Sequence, residues 1–483
     1  MLADAYRPAV DNSLLRPGRK FKGEIWALLI AGSGGWGNYR HQADVCHAYQ
    51  ILRHGGLPEE NIVVMMADDI ATSPSNPHPG QVFNRPGGPD VYDGVPIDYR
   101  GPDVTADNFL SVLAGAEPAV IGSSGKVIKS GPDDRVFVFY ADHGAPGILG
   151  MPTGPFLYAD QLIDTLHRKA ENRQFADMVL YIEACEAGSM FEGLLNDSLN
   201  IYVTTAANAH ESSWGTYCPG MHPSPPSEFT TCLGDLYSVS WMENSEHENL
   251  LKETLEKQFE AVKERVSRNG TYMQGSHVLQ FGSLAIDEEP AADYLGQDNT
   301  GDGVSGFLED PAYMYNVPQR EAELLPLHIA VDRAPSGAAA QQAAAALQQA
   351  LGARSFVDQA VRHAVSALLS LTEVTELLQD KYGVKEQLLA DMKQTPSVGG
   401  VETVDPLVET LVGNPLPGRP GLPLVEDWDC LRGMVAAWEA SCGTLDQYGM
   451  QHTGAFANLC NLGVSSKQLG EAACSSERSS VGL

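Results

Sequence analysis

Five short apolar runs constrain this chain more than any other feature: Glu24–Ile30, Asn61–Met66, Arg135–Tyr140, Met178–Ile182 and Asn200–Thr205. Each is rich in Val, Ile, Phe or Tyr, and each is too short for an ordinary helix. That combination reads as strands buried on both faces. Helical patterns lie between them, at Gln42–Arg53, Ala106–Leu113 and Ala159–Lys169. Strand–helix–strand alternation predicts a mainly parallel sheet covered by helices on both faces. In such a sheet, ligands bind beyond the carboxyl ends of the strands. The residues leaving these runs are therefore the candidates for chemistry.

The fourth run empties into Glu183-Ala-Cys185-Glu186-Ala-Gly188, and the third into Ala141-Asp142-His143-Gly144. A His and a Cys at the ends of consecutive strands meet if the strands are neighbours. The imidazole then deprotonates the thiol and later protonates the leaving amine. Alone, Cys185 reads equally well as a small buried hydrophobe, whereas a structural histidine would more often lie inside a helix or strand pattern than at a strand's exit, where His143 stands. Two strand exits read together favour a cysteine hydrolase. Gly144 is expected to let the backbone turn sharply beside His143. The first run leads to Asn38-Tyr-Arg40-His41 at the same edge. Asn38 is placed to orient the imidazole, while Arg40 and His41 bring positive charge. Gly32-Ser-Gly34-Gly-Trp-Gly37 matches G-x-G-x-x-G, but Asp68 lies well beyond the about 20 residues at which a dinucleotide site places its acid. A nicotinamide oxidoreductase is set aside on that ground.

A chain of 483 residues predicts more than one domain. Its net charge of -31 argues against nucleic acid and anionic membranes as partners. No apolar run approaches the roughly 18 residues of a membrane span. Residues 71–104 read as one long loop, Ser245–Val266 as a helix and 287–310 as a linker. Beyond Gln319 the character changes, with helical stretches at Ala338–Leu351, Ser355–Leu378 and Asp427–Asn461. Four of the eight cysteines, Cys430, Cys442, Cys460 and Cys474, cluster there. Their spacing suits disulfides better than a metal site, and by itself allows three pairings. Cys218 and Cys232 bracket a Pro-rich loop and are expected to pair. Asn196 and Asn269 are glycosylation sequons, consistent with a secretory route, although residues 1–20 carry no apolar signal core. The expected layout is a loose segment 1–22, a catalytic domain 23–284, a linker and activation segment 285–335, and an all-α, disulfide-stapled domain 336–483.

Several longer motifs carry a family resemblance. They are Gly37-Asn-Tyr-Arg-His-Gln-Ala-Asp44, Asp142-His-Gly144, Glu183-Ala-Cys-Glu-Ala-Gly-Ser189, Thr204-Thr-Ala-Ala-Asn208, Glu211-Ser-Ser213, Cys232-Leu-Gly-Asp-Leu-Tyr-Ser238 and Cys442-Gly-Thr-Leu-Asp-Gln-Tyr-Gly-Met450. From about Gly23 onward the chain resembles the legumains, asparaginyl endopeptidases also known as plant vacuolar processing enzymes. The resemblance implies a caspase-like α/β fold, with Cys185 as nucleophile, His143 as acid–base and Asn38 as orienter. It implies a pocket for Asn built from Arg40, His41, Glu183, Ser212, Ser213 and Asp235, and an oxyanion hole at the N–H groups of Gly144 and Cys185. It further implies Cys430–Cys460 and Cys442–Cys474 pairs, and a C-terminal prodomain acting as inhibitory partner. Gln319-Arg320 matches the segment in which a Gln fills the Asn pocket of the proenzyme.

The implied activity is cleavage after Asn and, in acid, after Asp, in peptide and protein substrates. Peptide joining accompanies it in relatives of this type, and the implied location is a vacuole or another acidic compartment. Neither cofactor nor metal is implied. The nearest alternative is a glycosylphosphatidylinositol transamidase catalytic subunit, which would carry a C-terminal membrane span. The other is a catalytically silent inhibitor or storage protein, against which the intact Asn38, His143 and Cys185 stand.

Overall fold

A computed structural model describes residues 23–296, 315–369, 406–413 and 421–474, with 379 and 416 singly. The five apolar runs form strands β1 (Ile25–Ala31), β2 (Ile62–Met66), β4 (Arg135–Ala141), β5 (Asp177–Glu183) and β6 (Ile201–Thr205); a short β3 (Tyr99–Arg100) and β7 (Leu279–Gly282) complete the sheet. Its order is β7-β6-β5-β4-β1-β2-β3, parallel except for β7 against β6.

The pleat sorts alternate residues to opposite faces. Ala27, Leu29, Val64, Phe137, Phe139, Val179 and Tyr181 join one core with α1 (Tyr39–His54), α4 (Leu236–His247) and α5 (Leu255–Val266). Leu28, Ile30, Val63, Met65, Val138 and Leu180 join the other with α2 (Ala106–Ala114) and α3 (Ala159–Glu171). With both faces covered, each strand reads as an unbroken apolar run.

Several local expectations change. Ser245–Val266 is two helices, because the chain breaks after His247 to bury Leu250, and Thr254 caps the second helix by accepting the Lys257 N–H. The start of the expected linker is packed: Ala292–Leu295 is helical with Tyr294 buried, and Arg135 binds Glu289 and Asp293 at 2.7 Å each. Residues 297–314 lie outside the described residues, as does segment 1–22. The long loop 71–104, between β2 and α2, contains the edge strand β3.

The C-terminal part is helical. Ala338–Leu351 and the start of the next predicted helix are one 31-residue helix, α6 (Ala338–Leu368); the stretch 370–378 is outside the described residues. Asp427–Asn461 is two helices, α7 (Trp428–Cys442) and α8 (Thr453–Asn461), because Gly443 ends the first at φ 95°, a conformation that strains other residues. Cys430 pairs with Cys460, Cys442 with Cys474, and Cys218 with Cys232. Trp438, Phe456 and Val365 form a core that also takes in Ala145, Ile148 and Tyr158 of the sheet domain. The two parts thus share buried apolar surface, and Arg432 adds an ion pair to Asp160 at 2.9 Å. Among the described residues no helix is long and apolar enough to cross a membrane. Asn196 and Asn269 are both exposed.

Candidate active site

Parallel register builds the site. Ala31 pairs with Ala141, and Ala141 with Glu183. His143 and Cys185 each stand two residues past a paired position, on adjacent strands. Asn38 reaches the same edge through the turn that follows β1, and its Oδ1 lies 2.8 Å from His143 Nε2. Its Nδ2 donates to Gly34 O at 3.0 Å and to Gln447 Oε1 at 2.9 Å, which fixes the amide's orientation. Asn38 Oδ1 is therefore the acceptor, His143 Nε2 carries the proton, and the lone pair sits on Nδ1. That Nδ1 is buried and has no hydrogen-bond partner.

Cys185 is buried. Its Sγ lies 3.3 Å from Ser212 Oγ and accepts the Ser213 N–H at 3.4 Å. The chain turns at Glu186, in the left-handed region at φ 48°, and continues into the short 3-10 turn Ala187–Met190 that contains Gly188. Gly144 has no positive φ. Its need for glycine is close approach: a Cβ there would sit 2.4 Å from the Cys185 carbonyl oxygen and 2.8 Å from Ala184 Cβ. Gly144→Ala is thus expected to destabilise the fold by about 1–3 kcal/mol. It should also slow peptide turnover at least about tenfold by displacing His143. Thermal melts and a peptide assay check both.

Beside the thiol lies a pocket of charged side chains. Arg40 and His41, in the first turn of α1, both hold Asp235: Arg40 Nε at 2.9 Å and His41 Nδ1 at 2.8 Å. This explains the cation Arg40 at a helix start, where the dipole disfavours one. Asp44, one turn further, accepts the Asp235 N–H at 3.2 Å and an Asn84 N–H at 2.6 Å. Glu183 Oε2 accepts from Ser238 N at 3.1 Å.

Gln319 fills the pocket and is fully buried. Its Nε2 donates to Asp235 Oδ1 at 3.2 Å and Glu183 Oε1 at 3.4 Å, and Arg40 Nη2 donates to its backbone carbonyl at 3.5 Å. Val317-Pro318 pairs antiparallel with Trp214-Gly215, and Gln319 N donates to Ser213 O at 3.0 Å. Ser213 thus meets the segment through its backbone, and Ser212 lies at the thiol. Arg320 is clasped by Glu186, and Glu323 Oε1 comes within 3.4 Å of His143 Nε2. Asp44, Asn84, Glu323 and Gln447 escape sequence reasoning; Asp44 and Gln447 fall inside the quoted motifs, but nothing local marks their contacts.

The electrostatics follow from burial. Burial, with His41, Arg40 and two further arginines nearby, holds His143 well below the usual imidazole range. Burial pushes the Cys185 thiol up, against the pull of Arg320. Burial and neighbouring Asp235 push Glu183 well above the carboxylate range. Burial acts the same way on Asp235, but His41 and Arg40 outweigh it and hold that carboxyl low. In this closed state His143 is neutral, Cys185 is a thiol, and Asp235 carries the pocket's negative charge.

The peptidase C13 family model matches residues 25–297, and the legumain prodomain model matches 417–476. The chain belongs to the peptidase C13 family. It is 50% identical to a vacuolar-processing enzyme beta-isozyme of Arabidopsis thaliana, covering 93% of this chain and 85% of that one. It is 48% identical to a legumain of Canavalia ensiformis, over 93% and 88% respectively. It is also 48% identical to a vacuolar-processing enzyme of Phaseolus vulgaris, over 94% and 85%. A solved structure of caspase-1 from Spodoptera frugiperda aligns at 11% identity with a TM-score of 0.34, covering 61% of this chain and 99% of that one. The protein is a cysteine endopeptidase with a legumain-type prodomain.

Proposed function

We propose that this C13 peptidase cleaves chains after Asn and, in acid, after Asp, and that it is made as a zymogen for protein processing in a vacuole, as its relatives' names suggest. The observation carrying this is the Gln319 amide, whose N–H groups face Asp235 and Glu183. An Asn side chain offers the same amide one methylene shorter.

In this reading the Cys185 thiol proton passes to His143 Nδ1 as Sγ bonds the scissile carbonyl carbon. Asn38 holds the ring, and the Gly144 and Cys185 N–H groups receive the oxyanion. The C–N bond breaks, the imidazolium protonates the leaving amine, and water, or a second peptide's amine, takes the acyl group from sulfur. Residues 23–284 are the catalytic part, 285–335 the activation segment and 336–483 the inhibitory part. The test is to give matured enzyme matched peptides with Asn, Asp, Gln or Ala at one position, with and without an added peptide amine, and to weigh the products. Cleavage independent of that residue would overturn the reading.

The uncut chain is expected to be silent near neutrality and to open in acid. His143 is held neutral while buried, so the open form binds a proton that the closed form refuses. Closure from this source is complete above the free imidazole value of about 6.5 and is lost as pH falls through it. Burial raises Glu186 and Glu323, so protonating them favours closure, and the release rests on His143. Active-site labelling of a Gln319-containing uncut chain from pH 8 to 4 checks this; equal labelling throughout would contradict it.

A further inference from the structure

We infer that the subsite immediately beyond the scissile bond is built for a basic residue, and that Glu186 selects it. The inference rests on the reading above, in which Gln319 stands where the residue before the cut would stand.

The segment's register makes Arg320 the reporter of that subsite. Strand pairing and the Gln319–Ser213 bond fix the chain up to Gln319, whose Oε1 comes within 4.0 Å of Cys185 Sγ. Arg320 is the next residue. Its Nη1 and Nη2 donate to the two carboxylate oxygens of Glu186 at 3.1 and 2.5 Å, and Nη2 also donates to the Gly144 carbonyl at 2.9 Å. Both partners are buried, Arg320 at 9% and Glu186 at 7% exposure, so this is not a solvated surface pair.

Glu186 is also fixed in place from behind. Its N–H donates to Glu211 O at 2.8 Å, and its carbonyl accepts Ser189 Oγ at 2.6 Å. The left-handed backbone is thereby held on both sides, and the carboxylate stands beside the thiol whether or not the segment is present. A planar guanidinium matches a carboxylate with two parallel bonds, which an ammonium cannot do. Beyond Arg320 a cleft of about 450 Å³ runs between Pro146, His210 and Ser212 on the catalytic side and Asp358, Tyr448 and His452 of the C-terminal part, so removal of that part leaves the catalytic wall open. Once the segment leaves, Glu186 loses this cation, and a substrate with Arg after the cut restores it. An acidic residue there would meet like charge.

The test uses matured enzyme and four peptides identical except for the residue after Asn: Arg, Lys, Ala or Glu. Charge-assisted bonds to a partly buried group predict kcat/KM about tenfold higher for Arg than for Ala, with Lys between and Glu about tenfold lower. The differences should lie mainly in KM and shrink with added salt. Glu186→Gln should bring the Arg-to-Glu ratio close to one, and Glu186→Lys should invert it. Each ratio is taken within one variant, so a general loss of activity does not affect it. If neither variant matures, the wild-type series and its salt dependence decide alone. Equal kcat/KM for Arg, Ala and Glu in the wild type would mean that Glu186 only latches the closed form, and would overturn the inference. So would an unchanged ratio in Glu186→Gln. Absence of cleavage after Asn in all four peptides, with cleavage elsewhere, would instead bring down the asparaginyl reading and this inference with it.

Discussion

Cys185→Ala is expected to abolish both peptide cleavage and self-maturation, while Cys46→Ala leaves both nearly intact. The two thiols are the free cysteines among the described residues, and both are buried. Cys46 lies in α1 with its Sγ 4.0 Å from Met66 Sδ, and burial pushes its thiol far up. It packs as a small hydrophobe. Cys185 stands at a strand exit beside His143, and its thiol receives a backbone N–H. Removing a covalent nucleophile usually costs more than about a thousandfold in turnover. Activity of Cys185→Ala above about a thousandth of wild type would reject the assignment. Truncating buried Cys46 should cost at most a few kcal/mol of stability and no chemistry.

The second large effect concerns pH and the residue before the cut. The pocket presents acceptors from Asp235 and Glu183 to an NH2 group, while Arg40 holds Asp235 and donates to the main-chain carbonyl of the residue in the pocket. Asp235 is held ionised, whereas Glu183 is pushed towards its neutral form, so Asp235 is the like charge that a substrate carboxylate would meet. That mismatch, out of water, should cost several kcal/mol, or more than about a hundredfold in rate. A protonated Asp donates one hydrogen bond and accepts another, and so imitates Asn. Free Asp titrates near ~3.9, and a neighbouring negative charge raises this. The sign follows: cleavage after Asp is present below the raised value and is lost as pH rises through about 5 to 6, while cleavage after Asn persists. Paired peptides assayed from acid to neutral pH measure it, and equal rates near neutrality would show that the pocket works otherwise. Arg40→Ala should lower both rates, since it removes one partner of Asp235 and a donor to the main-chain carbonyl of the residue in the pocket.

What the sequence determined by itself was local. Apolar runs of strand length, separated by helical periods, specify a covered parallel sheet, because burial on both faces forces uninterrupted hydrophobicity. The ends of those runs therefore announced Asn38, His143 and Cys185 before any contact was visible. Parallel register then carries two strand exits to one edge. The chain break after His247 was not legible: Leu250 turns inward only because neighbouring elements receive it. Gly144 was read as a turn, and the neighbouring strand's Cys185 carbonyl supplies its actual reason. The tertiary structure alone decided the pairs that join distant residues, such as Asn38 with Gln447, 409 positions apart, or Arg40 with Asp235, 195 apart. Periodicity records which face of an element is buried. It does not record which polar group, hundreds of residues away, arrives to satisfy a buried charge.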